Sequence, residues 1–368
     1  MKARESRIAR REFLLAGAAA GVTLGLGWRA SAAAAPVLKV GMALVSAAAE
    51  LGWTHQHQLG AEAIRAALGG QVEVSIVDNI YDSQDAERVF RSFAASGHRL
   101  VFGTSFSHTV PIARVAQQFP AVAFDCCSGV RTTLNLGGFE ARYHEGAYLA
   151  GVAAARVSKS ARLGFIGGFP VPDVVGPANA FLLGARSVNP RVTCTVIFMN
   201  SWEDPGKEKE ATLALIAQGC DVLAAMTDSP VAAQTADQKG VWSVGYASDL
   251  RKYAPKRLLS SMILDWNSIY IQDARDVLAG SWKPQARWWG LKEGVVKMGP
   301  WSEQLDADTR ALLDRTDQGI RNGGIQPFGG EIRDQDGAVR VRAGTVLGEQ
   351  ETRSINWLVA GMQGRMKG

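Results

Sequence analysis

Four aromatic side chains stand just beyond the carboxyl ends of apolar runs. Trp53 follows residues 37–45, Phe106 follows 100–103, Trp202 follows 191–199 and Trp266 follows 258–264. Aromatic faces in these positions suit gripping a flat ring, because stacked rings bury large area at defined separations. Each of them could instead fill loop or hinge packing. Trp53 and Trp202 belong to different halves of the chain, and as a pair they favour a ring held between them.

Bond-breaking chemistry finds no comparable anchor. No G-x-G-x-x-G follows the first apolar run, and no G-x-x-x-x-G-K-[ST], G-x-S-x-G or H-E-x-x-H occurs anywhere. The glycines at 164, 167 and 168 lie within and just after a strand, with no basic partner following. His55 and His57 are two apart, which on a helix points them away from each other, and with His108 and His144 they make no metal-ligand set. The histidines are therefore expected to be hydrogen-bonded or solvated, and neither a metal nor a cofactor is expected. Of the four cysteines, Cys126 and Cys127 are adjacent, a spacing that rarely bridges comfortably. Cys194 and Cys220 could form a disulfide in an exported protein or stay as buried free thiols.

The elements that must position the aromatics alternate. Residues 37–45, 72–77, 100–103 and 121–125 read as strands, with helices over 60–68, 84–96 and 110–118 between them. After a long helix at 145–157 the cycle restarts. Strands are expected at 163–168, 191–199, 222–225 and 242–245, with helices at 176–187, 207–218 and 232–239. This alternation predicts an α/β fold of two doubly wound parallel-sheet lobes, with ligand groups at the carboxyl ends of the strands. A strand at 258–264 and a helix at 269–279 are expected to return to the first lobe. The expected division is residues 36–155 with 256–285 in lobe 1 and 156–255 with 286–330 in lobe 2. Crossings near 125–160, 245–260 and 280–290 would make the hinge. Residues 331–344 read as a hairpin around Asp336-Gly337, opening a C-terminal hairpin and tail over 331–368.

Ahead of this repeat lies a leader. Arg10-Arg11 precedes Phe13-Leu14, a 15-residue apolar run from Leu14 to Trp28, and the small-residue tract 30–35. That order reads as a twin-arginine export signal over residues 1–35, cleaved near 33–36, which places the mature chain in the periplasm. The run falls short of the ~20 residues needed to span a bilayer. The first cysteine is Cys126, so lipid anchoring is not expected. The formal charge is +5, and the leader carries six basic residues against two acidic ones, leaving about +1. Such a balance gives no reason to expect a nucleic-acid partner.

Several segments, in this order and spacing, resemble the basic membrane protein family of ABC-transporter substrate-binding proteins. They are Gly52-Trp53-Thr54 with Gly60, Phe124-Asp125, residues 145–151, 159–168, Asn179-Ala180-Phe181 with 184–186, 202–210 and 245–249. The likeness covers nearly all of the mature chain. It implies a type I periplasmic-binding-protein fold and ligand capture between lobes without catalysis, with a membrane permease as partner. In the family's purine nucleoside receptors the purine lies between two aromatic rings, one from each lobe. The matching positions here are Trp53 and Trp202. Asp125 matches a polar contact of the family, and turn capping before Cys126 is its structural alternative. Ser105, Asn179 and Asp249 are further candidates for the polar edge, beside the strand-end aromatics Phe106 and Trp266.

Two departures bear on the ligand. Where those receptors hold the ribose with an aspartate and a lysine, alignment on Gly245 and on Ser260-Ser261 places Ala247 and Leu264. Buried sugar hydroxyls would then lack partners, at ~1–3 kcal/mol each. The expected ligand is a free purine base, such as adenine or an oxidised purine, and the alternative is a nucleoside. Other readings are a ligand-sensing domain for a membrane sensor, a binder of amides or short amino acids, and a secreted hydrolase. The expected protein is a monomer.

Overall fold

In the computed structural model, residues 37–47, 49–129 and 132–366 are described. The leader expected over residues 1–35 lies outside them. No helix among the described residues is long and apolar enough to cross a membrane.

Strand β1 (Leu38–Ala43) forms where the apolar run begins, with Leu38, Val40 and Met42 fully buried. It lies between β2 (Val72–Val77) and β3 (Leu100–Gly103); β4 (Ala123–Cys127) and β5 (Leu136–Ala141) extend the sheet beyond β3. The first sheet is wholly parallel, with β11 (Ala286–Trp289) on its outer edge, in the order β11-β5-β4-β3-β1-β2. Helices α1 (Gly52–Leu68), α2 (Ser83–Ala95), α3 (Thr109–Gln118) and α8 (Asn267–Ala279) cover its faces.

The second sheet comprises β6 (Arg162–Gly167), β7 (Thr193–Phe198), β8 (Val222–Met226), β9 (Trp242–Ala247), β10 (Leu258–Leu264), β12 (Val296–Met298) and β15 (Met362–Gln363). Its order is β12-β10-β9-β8-β6-β7-β15, with only β12 antiparallel to its neighbour. Helices α4 (Tyr143–Val157), α5 (Pro172–Val188), α6 (Pro205–Ala217) and α7 (Val231–Gln238) pack on it, and α9 (Ala307–Arg321) packs on α4. The expected two sheets are present; one continuous buried core runs across both, and each has a further buried layer of its own.

The membership of three elements differs from expectation. Strand β10 pairs with β9 in the second sheet, and β11 pairs with β5 in the first. An apolar run fits either sheet, and only the register with a neighbour decides between them. Helix α4 packs lengthwise on α5, so the crossing at Arg142 lies within the expected stretch 125–160, while the lobe boundary moves from 155 to Arg142. The chain thus crosses between lobes at Arg142, at Asp265-Trp266 and between β11 and β12.

The hairpin expected around Asp336-Gly337 is β13 (Ile332–Arg333) with β14 (Val339–Val341), its turn held by Asp334 accepting from Asp336 N and Ala338 N. After the short helix α10 (Glu349–Thr352), the tail lies along lobe 2. Asn179 holds it there, donating to Trp357 O (2.8 Å) and accepting from Val359 N (2.9 Å). All four cysteines are buried and unbridged, so Cys194 and Cys220 are free thiols.

Candidate functional site in the cleft between lobes

Trp53 sits in the first turn of α1, not in a loop before it. Helix α1 starts at Gly52, eight residues ahead of the expected start at Gly60. Its N-cap residue is Leu51, which has no side-chain group to satisfy the free N–H groups of the first turn. Those groups are met from the opposite lobe. Gly52 N donates to Ser248 Oγ (3.0 Å), and Trp53 N donates to Asp228 Oδ1 (3.0 Å). Gln56 Nε2 also donates to Ser248 Oγ (2.8 Å). Gly52 has φ +87°, and a Cβ there would meet the Asp228 carbonyl oxygen at 3.3 Å, so both its backbone angle and the approach of the lobes call for glycine.

The Trp53 indole is fixed from several sides. Its Nε1–H donates to Thr104 O (2.7 Å) at the end of β3. His57 and Trp266 meet it edge to face, with ring centroids 4.9 and 5.8 Å away. Behind it His57 stacks on Trp266, with planes 6° apart, and its Nδ1 bonds the Tyr270 hydroxyl (2.6 Å). Burial lowers the His57 pKa to about 3, so the ring is neutral packing.

Asp228, just beyond β8, connects the backbones of the two tryptophans. Its carboxylate takes Trp53 N, and its own N–H donates to Trp202 O (3.0 Å). Trp202 lies in the loop between β7 and α6, 37% exposed, tilted against Phe169 at 5.2 Å. It rests directly on the Gly168 backbone, where a Cβ would come within 2.4 Å of the indole. No described residue bonds Asp228 Oδ2. Burial, opposed only by the Trp53 N–H, lifts the carboxyl to about 6, and Glu203 and Glu208 add to the rise. Tyr246 and Tyr143 continue the cleft, their rings 6.5 Å apart, and the buried Tyr143 hydroxyl has no hydrogen-bond partner among the described residues. Next to them Asp173 starts α5. Burial and then the neighbouring Glu140 carboxyl push its pKa well up, while Arg353 contacts Glu140 at 2.5 Å.

The remaining expected site residues are dispersed. Asp125 is buried on the α8 side of the first sheet. Its Oδ2 contacts Arg287 Nη2, its Oδ1 accepts Cys126 N (2.9 Å), and Arg287 also bonds Asp273 at 2.8 and 2.9 Å. Burial raises the Asp125 pKa, Asp273 adds to the rise, and Arg287 opposes it. Ser105 accepts from Ser107 N at the start of a short 3-10 turn, and Phe106 within that turn is 74% exposed. Asn179 anchors the tail, Asp249 pairs locally with Arg251 (2.6 Å), and Trp266 is wholly buried beneath Trp53. Only Trp53, Trp202 and, one layer back, Trp266 gather at the cleft. Sequence reasoning missed Asp228, Ser248, Gln56, Tyr143 and Tyr246. No local signal marked them, because the caps on α1 come from residues distant in sequence. Among the described residues no cluster of three or more His, Cys, Asp or Glu could hold a metal. A cavity of about 420 Å³ lies near the hinge, where Arg142, His144, Trp288 and Phe328 form part of its wall, but Trp53, Trp202 and Asp228 do not line it.

Two parallel-sheet lobes crossed three times by the chain, with aromatic and acidic side chains facing between them, define a two-lobed solute-binding protein. Residues 37–326 match the family described as ABC transporter substrate-binding protein, PnrA-like, and the chain belongs to that family. It is 41% identical over 329 residues to a protein named purine-binding protein from Brucella abortus, covering 89% of this chain and 94% of that one. It is 34% identical over 286 residues (78% and 73%) to a protein named putative ABC transporter glucose-binding protein from Haloferax volcanii. An ABC transporter solute-binding protein structure from Conexibacter woesei shares the fold, with a TM-score of 0.68 at 23% identity, covering 79% of this chain and 98% of that one. The protein is the substrate-binding component of an ABC transporter, and its family binds solutes without transforming them.

Proposed function

We propose that this protein captures a free purine base in the periplasm for an ABC importer, stacking it between Trp53 of lobe 1 and Trp202 of lobe 2. The observation that carries this reading is the link through Asp228, which hydrogen-bonds the Trp53 backbone from one side and the Trp202 backbone from the other. Trp53 is held in place before ligand arrives, so little side-chain entropy is lost on stacking. The purine-binding name of the relative from Brucella abortus supports the ligand class.

The preference for a base over a nucleoside rests on what faces a sugar. Ala247 and Leu264 are wholly buried and apolar, and Ser248 beside them already accepts two hydrogen bonds from α1. Ribose hydroxyls would enter without partners, at ~1–3 kcal/mol each. A base stacked on two faces gains ~1–3 kcal/mol per face. With charge-assisted hydrogen bonds of ~1.5–3 kcal/mol, micromolar affinity, about −8 kcal/mol, is within reach. The ligated protein would engage a membrane permease as a monomer, with its twin-arginine leader removed.

Calorimetric titration with adenine and with adenosine tests the reading. Adenine is expected to bind with a micromolar or tighter Kd and adenosine at least tenfold more weakly. Adenosine or inosine binding more tightly than every free base would overturn the preference for a bare ring.

A further inference from the structure

We propose that Asp228 sets ligand selectivity: one carboxylate oxygen caps α1 across the cleft, the other accepts an N–H from the ligand, and the cleft thereby selects neutral heterocycles with N–H donors and rejects anionic oxidised purines. This rests on the purine reading above and narrows it.

Three observations converge. First, the two carboxylate oxygens are unequal. Oδ1 accepts Trp53 N at 3.0 Å, whereas Oδ2 accepts from no described residue, although the residue is half-buried between the two indoles' backbones. An ionised carboxylate only accepts hydrogen bonds, so the complementary ligand edge is a ring N–H or an exocyclic amine. Second, the charged groups acting on Asp228 are Glu203 and Glu208, both acidic, and burial together with these neighbours lifts its pKa to about 6. Tyr246, packed beside it, also faces Asp173. An anion entering here meets like charge in a partly desolvated site, whereas a neutral donor can pair with the acceptor oxygen that no described residue fills. Third, the buried Tyr143 hydroxyl lacks a hydrogen-bond partner among the described residues and can donate to a ring nitrogen or carbonyl at the far edge of the ligand. An acceptor at one end and a hydroxyl at the other suit an aminopurine better than a urate-like ring.

Trans-capping gives Asp228 a second task. Its bond to Trp53 N forms only when the lobes meet, as does the bond of Ser248 to Gly52 N. Ser248 shares the closing role but offers no charge, which makes it the natural control.

The test is calorimetry at pH 8 with adenine and with urate, on the wild type, Asp228→Asn and Ser248→Ala, with thermal melts of each. The wild type is expected to bind adenine at least thirtyfold more tightly than urate. Asp228→Asn is expected to shrink that ratio at least tenfold, while Ser248→Ala weakens both ligands by similar factors. If Asp228→Asn does not fold, Asp228→Ser carries the same comparison. A wild type that binds adenine and urate equally, or a selectivity ratio unchanged in the Asp228 variant, overturns the proposal and leaves the purine reading intact. A wild type that binds neither purine overturns the purine reading and the selectivity proposal with it.

Discussion

Asp125, in the middle of β4, and Asp228, just beyond the end of β8, are acids of parallel strands in opposite lobes, and they do opposite work. Asp125 is wholly buried, held by Arg287 and the Cys126 N–H, with Asp273 on the other side of the same guanidinium. Asp228 is half-buried, has no basic partner among the described residues, and spends one oxygen on a backbone group of the other lobe. The strand expected to end at Asp125 continues to Cys127, so that acid lies inside the sheet and is not a binding group by its place on a strand alone. What separates the two is whether a cation and a crossing strand have already claimed the carboxylate. In lobe 1, β11 arrives from far along the chain and brings Arg287 over Asp125. In lobe 2 no described cation reaches Asp228.

The largest expected effect follows from that difference. Arg287→Ala leaves Asp125 and Asp273 buried without their shared cation, and breaking such a buried pair costs about 3–5 kcal/mol. Urea unfolding should show that loss, while the adenine affinity of the protein that remains folded should stay near that of the wild type. The reverse outcome, full stability with binding abolished, would restore Asp125 as a ligand group and erase the contrast with Asp228.

The legible parts of the molecule share one property, that neighbours in sequence decide them. The alternation of strands and helices followed from local apolar runs such as residues 38–43 and 163–167, and the hairpin followed from Asp336-Gly337. Trp53 and Trp202 were placed by the same logic, since both lie just past strand ends. Features set by distant partners were not legible. The start of α1 at Gly52 depends on caps from Asp228 and Ser248, 175 and 196 residues away. The sheet chosen by β10 and β11 depends on register with β9 and β5. Asp125 looked like a ligand contact because its cation, Arg287, is 162 residues away in sequence. Helix α9 and the edge strand β15 were not read at all, because short or polar elements gain their stability from packing on lobe 2.

The two indoles sharpen the comparison between lobes at a smaller scale. Trp53 is pinned by Thr104 O and by the edges of His57 and Trp266, whereas Trp202 leans on Gly168 and Phe169 with more than a third of its surface exposed. Stacking on either is worth ~1–3 kcal/mol. Trp53→Ala should therefore weaken adenine binding by more than tenfold and also lower the melting temperature. Trp202→Ala should weaken binding by about tenfold, the ~1.4 kcal/mol equivalent, with little change in melting. Near-wild-type affinity in both variants would remove the stacking model. Equal melting losses would show that lobe 2 holds its indole as firmly as lobe 1.

The smallest effect is a proton-linked one on the empty protein. The Asp228 carboxyl is lifted from its ordinary 3.8 to about 6 where the lobes meet, by burial first and then by Glu203 and Glu208, against the pull of the Trp53 N–H. When the lobes part, water reaches the group and its pKa falls back toward the ordinary value. The closed form then holds the proton more tightly, so acid favours closure. That advantage is fully present below about pH 4 and is lost as the pH rises through about 6. Asp173, raised by burial and by Glu140 across the cleft, acts in the same direction. Small-angle scattering of ligand-free protein should give a smaller radius of gyration at pH 5 than at pH 8, reflecting a several-fold change in the closed population. Asp228→Asn should reduce that difference, and adding Asp173→Asn should remove the rest. A radius that grows on acidification would mean that protonation breaks the cap to Trp53 more than burial resists the charge, and the cleft acid would then act as a base-side latch.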